Sequence, residues 1–166
     1  MRRILVLMLA SGTVAALSLA FAAPASAATT VPASMTFTEP ILQNINSGCP
    51  AFGLPNGGLC GNGNFLPYGH ATETIAFGAG CGGACDVRTI TVAGGSIVMN
   101  EQFSNPACPG ACRSPFPGEP FRGTLTDVIV GGSGIFAGAS GNLSGTVKST
   151  GLQSQIKLSG SITLAN

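Results

Sequence analysis

Arg88-Thr89-Ile90-Thr91-Val92-Ala93-Gly94-Gly95-Ser96-Ile97-Val98-Met99-Asn100-Glu101 is the passage that decides the fold. Large apolar side chains recur at every second position on both sides of a glycine pair. That period puts one face of each run in a core and the other toward water. A glycine pair between two such runs supplies a two-residue reversal. With Gly94-Gly95 as the loop, Val92 opposes Ile97, Ile90 opposes Met99 and Arg88 opposes Glu101. The passage therefore reads as an antiparallel hairpin with an arginine and a glutamate on its inner face.

The same alternation extends outward. At the C-terminus Ile156, Leu158, Gly160, Ile162 and Leu164 share one face, with Lys157, Ser159, Ser161 and Thr163 on the other. Further strands are expected at Ser34–Glu39, Ala71–Phe77, Arg122–Val130, Ile135–Ala137 and Asn142–Ser149. No segment after the first 27 residues keeps a helical apolar period for three turns. Roughly eight short strands imply an all-β fold, an antiparallel up-and-down barrel or a sandwich.

Two segments interrupt the rhythm. Nine of the eleven prolines lie within residues 40–70 and 104–120, which marks both as long loops rather than central strands. If strands alternate in order, the first loop sits at one end, and loops 78–85 and 104–120 share the other. The six cysteines offer staples. Local pairs, Cys49–Cys60, Cys81–Cys85 and Cys108–Cys112, are favoured because Gly82-Gly83-Ala84 and Pro109-Gly110-Ala111 let small rings close. Cross-pairing between the 81/85 and 108/112 loops is the rival, and two Cys-x3-Cys pairs could also hold zinc.

The first residues do not belong to this pattern. Arg2-Arg3, an apolar stretch from Ile4 to Ala23 and Pro24-Ala25-Ser26-Ala27 have the form of a leader cleaved after Ala27. Residues 1–27 are thus expected to be a signal peptide and 28–166 a single exported domain. Removing the leader leaves five basic and six acidic side chains, a net charge of −1. Such a balance gives no footprint for nucleic acid, and six cysteines in a small exported domain suit an oxidising compartment.

Five charged residues share parity with apolar neighbours: Glu39, Glu73, Arg88, Glu101 and Asp127. An acidic and basic patch within an apolar barrel is the usual make-up of a small-molecule site, whereas a self-satisfied ion pair would be purely structural. Asp127, mid-strand and without an evident partner, is the first candidate for chemistry, followed by Arg88 and Glu101. Glu73, Tyr68 and the single histidine, His70, are candidates for ligand contact. A hydrolytic triad is not supported, because no Gly-x-Ser-x-Gly elbow is present. Gly132-Ser-Gly134-Ile-Phe-Ala137 has dinucleotide-fingerprint spacing, but the glycine-rich residues that follow cannot form the required helix. No cofactor is expected.

Asp127-Val-Ile-Val-Gly-Gly-Ser-Gly-Ile-Phe-Ala-Gly-Ala-Ser-Gly141 resembles the signature of the allene oxide cyclase and dirigent barrels, and of bacterial secreted proteins that share their fold. The likeness is specific over about residues 123–147 and diffuse over 86–101. It implies an eight-stranded antiparallel barrel in which Gly131, Gly132 and Gly134 allow a left-handed turn and Phe136 plugs one end. It also implies, as an alternative to non-catalytic binding of a small apolar ligand or surface partner, an isomerase or cyclase acting in the barrel cavity. No position matches the catalytic residues of that superfamily. A purely structural envelope protein with a filled barrel is the third expectation.

Overall fold

A computed structural model describes residues 27–41, 49, 58–104 and 120–165. Eight antiparallel strands close into a barrel in chain order: β1 (Thr29–Glu39), β2 (Gly58–Leu66), β3 (Gly69–Gly80), β4 (Cys85–Val92), β5 (Gly95–Ser104), β6 (Phe121–Gly134), β7 (Ser140–Ser149) and β8 (Ser154–Leu164). Closure comes from β1 pairing with β8 along its whole length, from Thr29 opposite Leu164 to Glu39 opposite Ser154. The alternating residues fall as the period requires. Met35, Phe37, Ile90, Ile97, Met99, Leu125, Leu143, Ile156, Leu158 and Ile162 fill the interior, while Lys148 and Lys157 are exposed.

The strand β2 lies inside the segment expected to be loop. The four prolines of that segment, Pro40, Pro50, Pro55 and Pro67, all fall outside Gly58–Leu66. Its inward positions include Gly61 and Gly63, so the sequence lacks the apolar half of the alternation. The extra strand reverses one expectation about the ends. Residues 40–57, 81–84 and 105–120 all connect strands at the same rim, here called the mouth, as does the 150–153 turn. The opposite end carries the short connections at 67–68, 93–94 and 135–139.

Cys49–Cys60 and Cys81–Cys85 are disulfides, with Cα atoms 6.0 and 5.3 Å apart. Both tie residues at the mouth, and the 108–112 pair lies outside the described residues. Residues 1–26 of the expected leader are likewise outside them.

The decisive hairpin turns one residue earlier than the glycine pair suggests, which shifts the cross-strand register by two. Val92 pairs with Gly95, so Ala93-Gly94 is the loop and Arg88 opposes Met99. Gly95 serves β6 instead, since a Cβ there would sit 2.1 Å from the Ser133 carbonyl oxygen. A shift of two residues keeps every side chain on its face. Arg88 and Glu101 therefore remain inside together, as diagonal rather than direct neighbours.

Residues Ile135–Ala137 form no strand. They lie in consecutive turns, with Phe136 N–H donating to Ser133 O and Ala139 N–H to Phe136 O. Of the three glycines expected to turn left-handed, only Gly134 does so (φ 58°), and Gly131 and Gly132 continue β6. Phe136 is fully buried and closes this end as expected, stacked on Phe65 at 5.7 Å and edge-on to Tyr68 at 4.8 Å.

The β7–β8 seam alternates small and large side chains: Gly141 opposes Ile162, Leu143 opposes Gly160, and Gly145 opposes Leu158. Here the backbones approach too closely for a side chain on the glycine. A Cβ on Gly145 would lie 1.8 Å from Lys157 O, whereas one on Gly131 would meet nothing within 4 Å. Urea denaturation should accordingly show Gly145→Ala losing about 1–3 kcal/mol, the range for overpacking. Gly131→Ala should stay within about 0.5 kcal/mol of the parent. Equal costs would show that the seam does not depend on bare backbone.

Candidate functional site

All five inward charges meet inside the barrel. Arg88 is 1 % exposed, and Glu39, Glu73, Glu101 and Asp127 are between 0 and 4 %. They arrive from five strands, β1, β3, β4, β5 and β6, so the cluster exists only when the barrel is closed. Arg88 is its hub. Its Nη1 donates to Glu73 Oε2. Its Nε donates to Glu101 Oε2 at 2.6 Å, and Nη2 lies 2.5 Å from the same oxygen. The Arg88–Glu101 pair thus converges on one carboxylate oxygen instead of forking to two. Glu39 Oε1 stands 4.0 Å from Nη1, and Asp127 Oδ1 stands 3.8 Å from Nε.

One guanidinium cannot satisfy four carboxylates. Glu39 Oε1 and Glu73 Oε1 accept no hydrogen bond, and Ser154 Oγ takes part in none, while Asp127 lies against the carboxyl group of Glu101, its cross-strand partner, close enough to share a proton with it. The electrostatics follow. Burial raises the Glu39 carboxyl to about 7, with Arg88 opposing and Glu101 adding to the rise. Burial likewise raises Glu73 to about 8 against the pull of Arg88. Asp127 rises to about 8 through burial and the negative charge of Glu101. Arg88 loses hydration, but Glu101, Glu73, Glu39 and Asp127 outweigh that loss and raise its pKa above the ordinary guanidinium value. The cluster is therefore a cation fixed among carboxyl groups, several of which keep protons near neutral pH.

A cavity of about 50 Å3 opens beside this cluster at the mouth. Its polar wall includes Glu39, Asp86, Arg88, Glu101 and Ser154; its apolar wall includes Leu59, Ile75, Phe77, Phe103, Phe121 and Leu125. Its volume suits a few waters or one small headgroup, well short of the ~300 Å3 of a typical whole-ligand pocket. The wall takes in Arg88 and Glu101 but not Asp127, which lies beyond it in the interior.

Glu73 belongs to the cluster, but the other two expected ligand contacts do not. Tyr68 lies in the aromatic cluster at the opposite end, and His70 is exposed at the start of β3 there. Three contributors escape a search for inward charges. Gly61 separates Glu39 from Glu73 across β1, β2 and β3, and a Cβ on it would come within 2.9 Å of Glu73 Oε1. Ser154 is cross-strand partner of Glu39 and could have been found by extending the β8 alternation one step back from Ile156. Asp86 shares Arg88's parity at the rim and accepts the Gly78 N–H at 2.7 Å.

No protein-family model, no curated protein and no solved structure matches the chain. Among the described residues no helix is long and apolar enough to cross a membrane. The architecture itself defines a class: a small, disulfide-bonded, closed eight-stranded antiparallel barrel with a buried charge cluster. Its disulfides fit an oxidising environment.

Proposed function

We propose that the chain is exported, cleaved after Ala27, and serves as a non-catalytic binder of a small, largely apolar ligand held at the barrel mouth. The observation that carries this reading is the cavity's make-up: aromatic and aliphatic walls around buried polar atoms whose hydrogen-bonding capacity is unspent. The opposite end is stoppered by Phe65, Tyr68 and Phe136, so the mouth is the natural entrance. Kinship with the allene oxide cyclase and dirigent barrels is part of the proposal. Its support is the eight-stranded closure together with Phe136 at the sealed end.

Native mass spectrometry of the protein collected from culture medium tests both export and cargo. The expected spectrum shows a polypeptide beginning at Ala28 with a small non-covalent adduct that leaves on collisional activation. An intact leader would refute export. A bare polypeptide that also binds nothing from an apolar metabolite extract would refute the binding role.

A further inference from the structure

The choice of ligand headgroup can be read from how the charges inside the mouth are shared. Arg88 spends its close contacts on Glu73 and Glu101. Glu39 and Asp127 are left at 4.0 and 3.8 Å, outside hydrogen-bond reach, and only Glu39 lines the cavity. Glu39 is 2 % exposed and its Oε1 has no hydrogen-bond partner. Directly across the β1–β8 ladder stands Ser154, 1 % exposed, with its Oγ equally unpartnered and on the same cavity wall. Glu39 and Glu73 themselves take up the room that a side chain on Gly61 would need, so the cavity lies on the Ser154 side of Glu39. Two buried polar side chains on adjacent strands thus line one small cavity, and each unpartnered oxygen forfeits free energy until something bonds to it.

We propose that this space receives a primary ammonium group, held between Glu39 Oε1 and Ser154 Oγ, with the ligand's short hydrocarbon chain lying outward against Phe77, Phe103 and Phe121. The charge count selects the sign. Arg88 already spends its close contacts on Glu73 and Glu101, so an added cation can pair with Glu39 as its carboxylate, while an added carboxylate finds no unspent cation beside it among the described residues. An ammonium also brings three donors to a wall that offers a carboxylate and a hydroxyl oxygen as acceptors. The available volume fits a headgroup of that size and leaves the tail at the rim, where Phe77 is 42 % exposed.

The inference rests on the mouth being a binding site and refines which molecules it takes. Isothermal titration calorimetry of the intact, disulfide-bonded protein with n-octylamine, octan-1-ol and octanoate at pH 7.5 tests it, because the three probes share one tail. Octylamine should bind at least tenfold more tightly than either of the others. Glu39→Gln should erase most of that preference, and Ser154→Ala should reduce it several-fold, each variant first being checked for a single cooperative thermal transition. If Glu39→Gln fails to fold, Ser154→Ala and the probe panel still decide. Equal binding of the three probes would overturn the ammonium assignment while leaving a mouth that binds apolar tails. Tighter binding of octanoate would overturn it outright, as would an amine preference that persists in both variants. No binding of any probe would overturn the assignment together with the reading it rests on.

Discussion

Arg88→Met should cost the barrel about 3–5 kcal/mol at pH 8, the usual penalty for removing one partner from a buried ion cluster, and distinctly less at pH 5. Methionine fills much of the same space, so the loss is electrostatic rather than a cavity. Without the guanidinium, Glu39, Glu73, Glu101 and Asp127 face one another in the interior, none more than 4 % exposed. The folded variant can survive only by taking up protons. Proton uptake is cheap at pH 5 and expensive at pH 8, so the same substitution is mild in acid and severe in base. Urea denaturation at the two pH values, with disulfides intact, measures the difference. A cost that does not change with pH would mean that Arg88 contributes by packing alone.

The parent protein should become less stable as the pH rises from about 4 to 8. Glu39, Glu73 and Asp127 have folded-state values of about 7, 8 and 8, raised first of all by burial, against ordinary values of 4.5, 4.5 and 3.8. Below the ordinary values both folded and unfolded chains hold these protons, and the contribution is fully present. Between the ordinary and the raised values the unfolded chain releases protons that the barrel retains, and stability falls. The slope is on the order of 1 kcal/mol per pH unit for each retained proton. A barrel whose carboxylates were simply paired with cations would show the opposite trend, gaining stability on leaving acid. Melting temperatures recorded from pH 4 to 9 should therefore decline through neutrality and level off above about pH 8. A flat or rising profile would show the cluster to be ionised throughout, and Glu73→Gln should flatten whatever slope is found.

The strands and the inward charges were legible because both depend on parity alone, whereas parity left a barrel or a sandwich open and closure was implied only by the resemblance. Glu39, Glu73, Arg88, Glu101 and Asp127 each sit an even number of residues from buried apolar neighbours, and an error of two in the hairpin register left their faces unchanged. What parity could not reveal was β2, where Gly61 and Gly63 occupy inward positions and leave no apolar signal. Missing that strand misplaced one long connection and hid Gly61 from the site. Ile135–Ala137 failed for the reverse reason. Its apolar residues belong to a turn whose Phe136 plugs the end, so burial there comes from capping rather than from a pleated face. Tyr68 and His70 stand at the end of what reads as one long loop, but β2 occupies part of that loop and carries them to the far end.

The pairing of Thr29 with Leu164 has a consequence for how the molecule can be held. Both strand termini emerge side by side beside the aromatic stopper, on the pole remote from the mouth. A tether, fusion partner or surface linkage attached through either one leaves the entrance facing bulk solvent. A short peptide joining the two would make the polypeptide a continuous ring, which could then be cut at another exposed bend without disturbing the charge cluster.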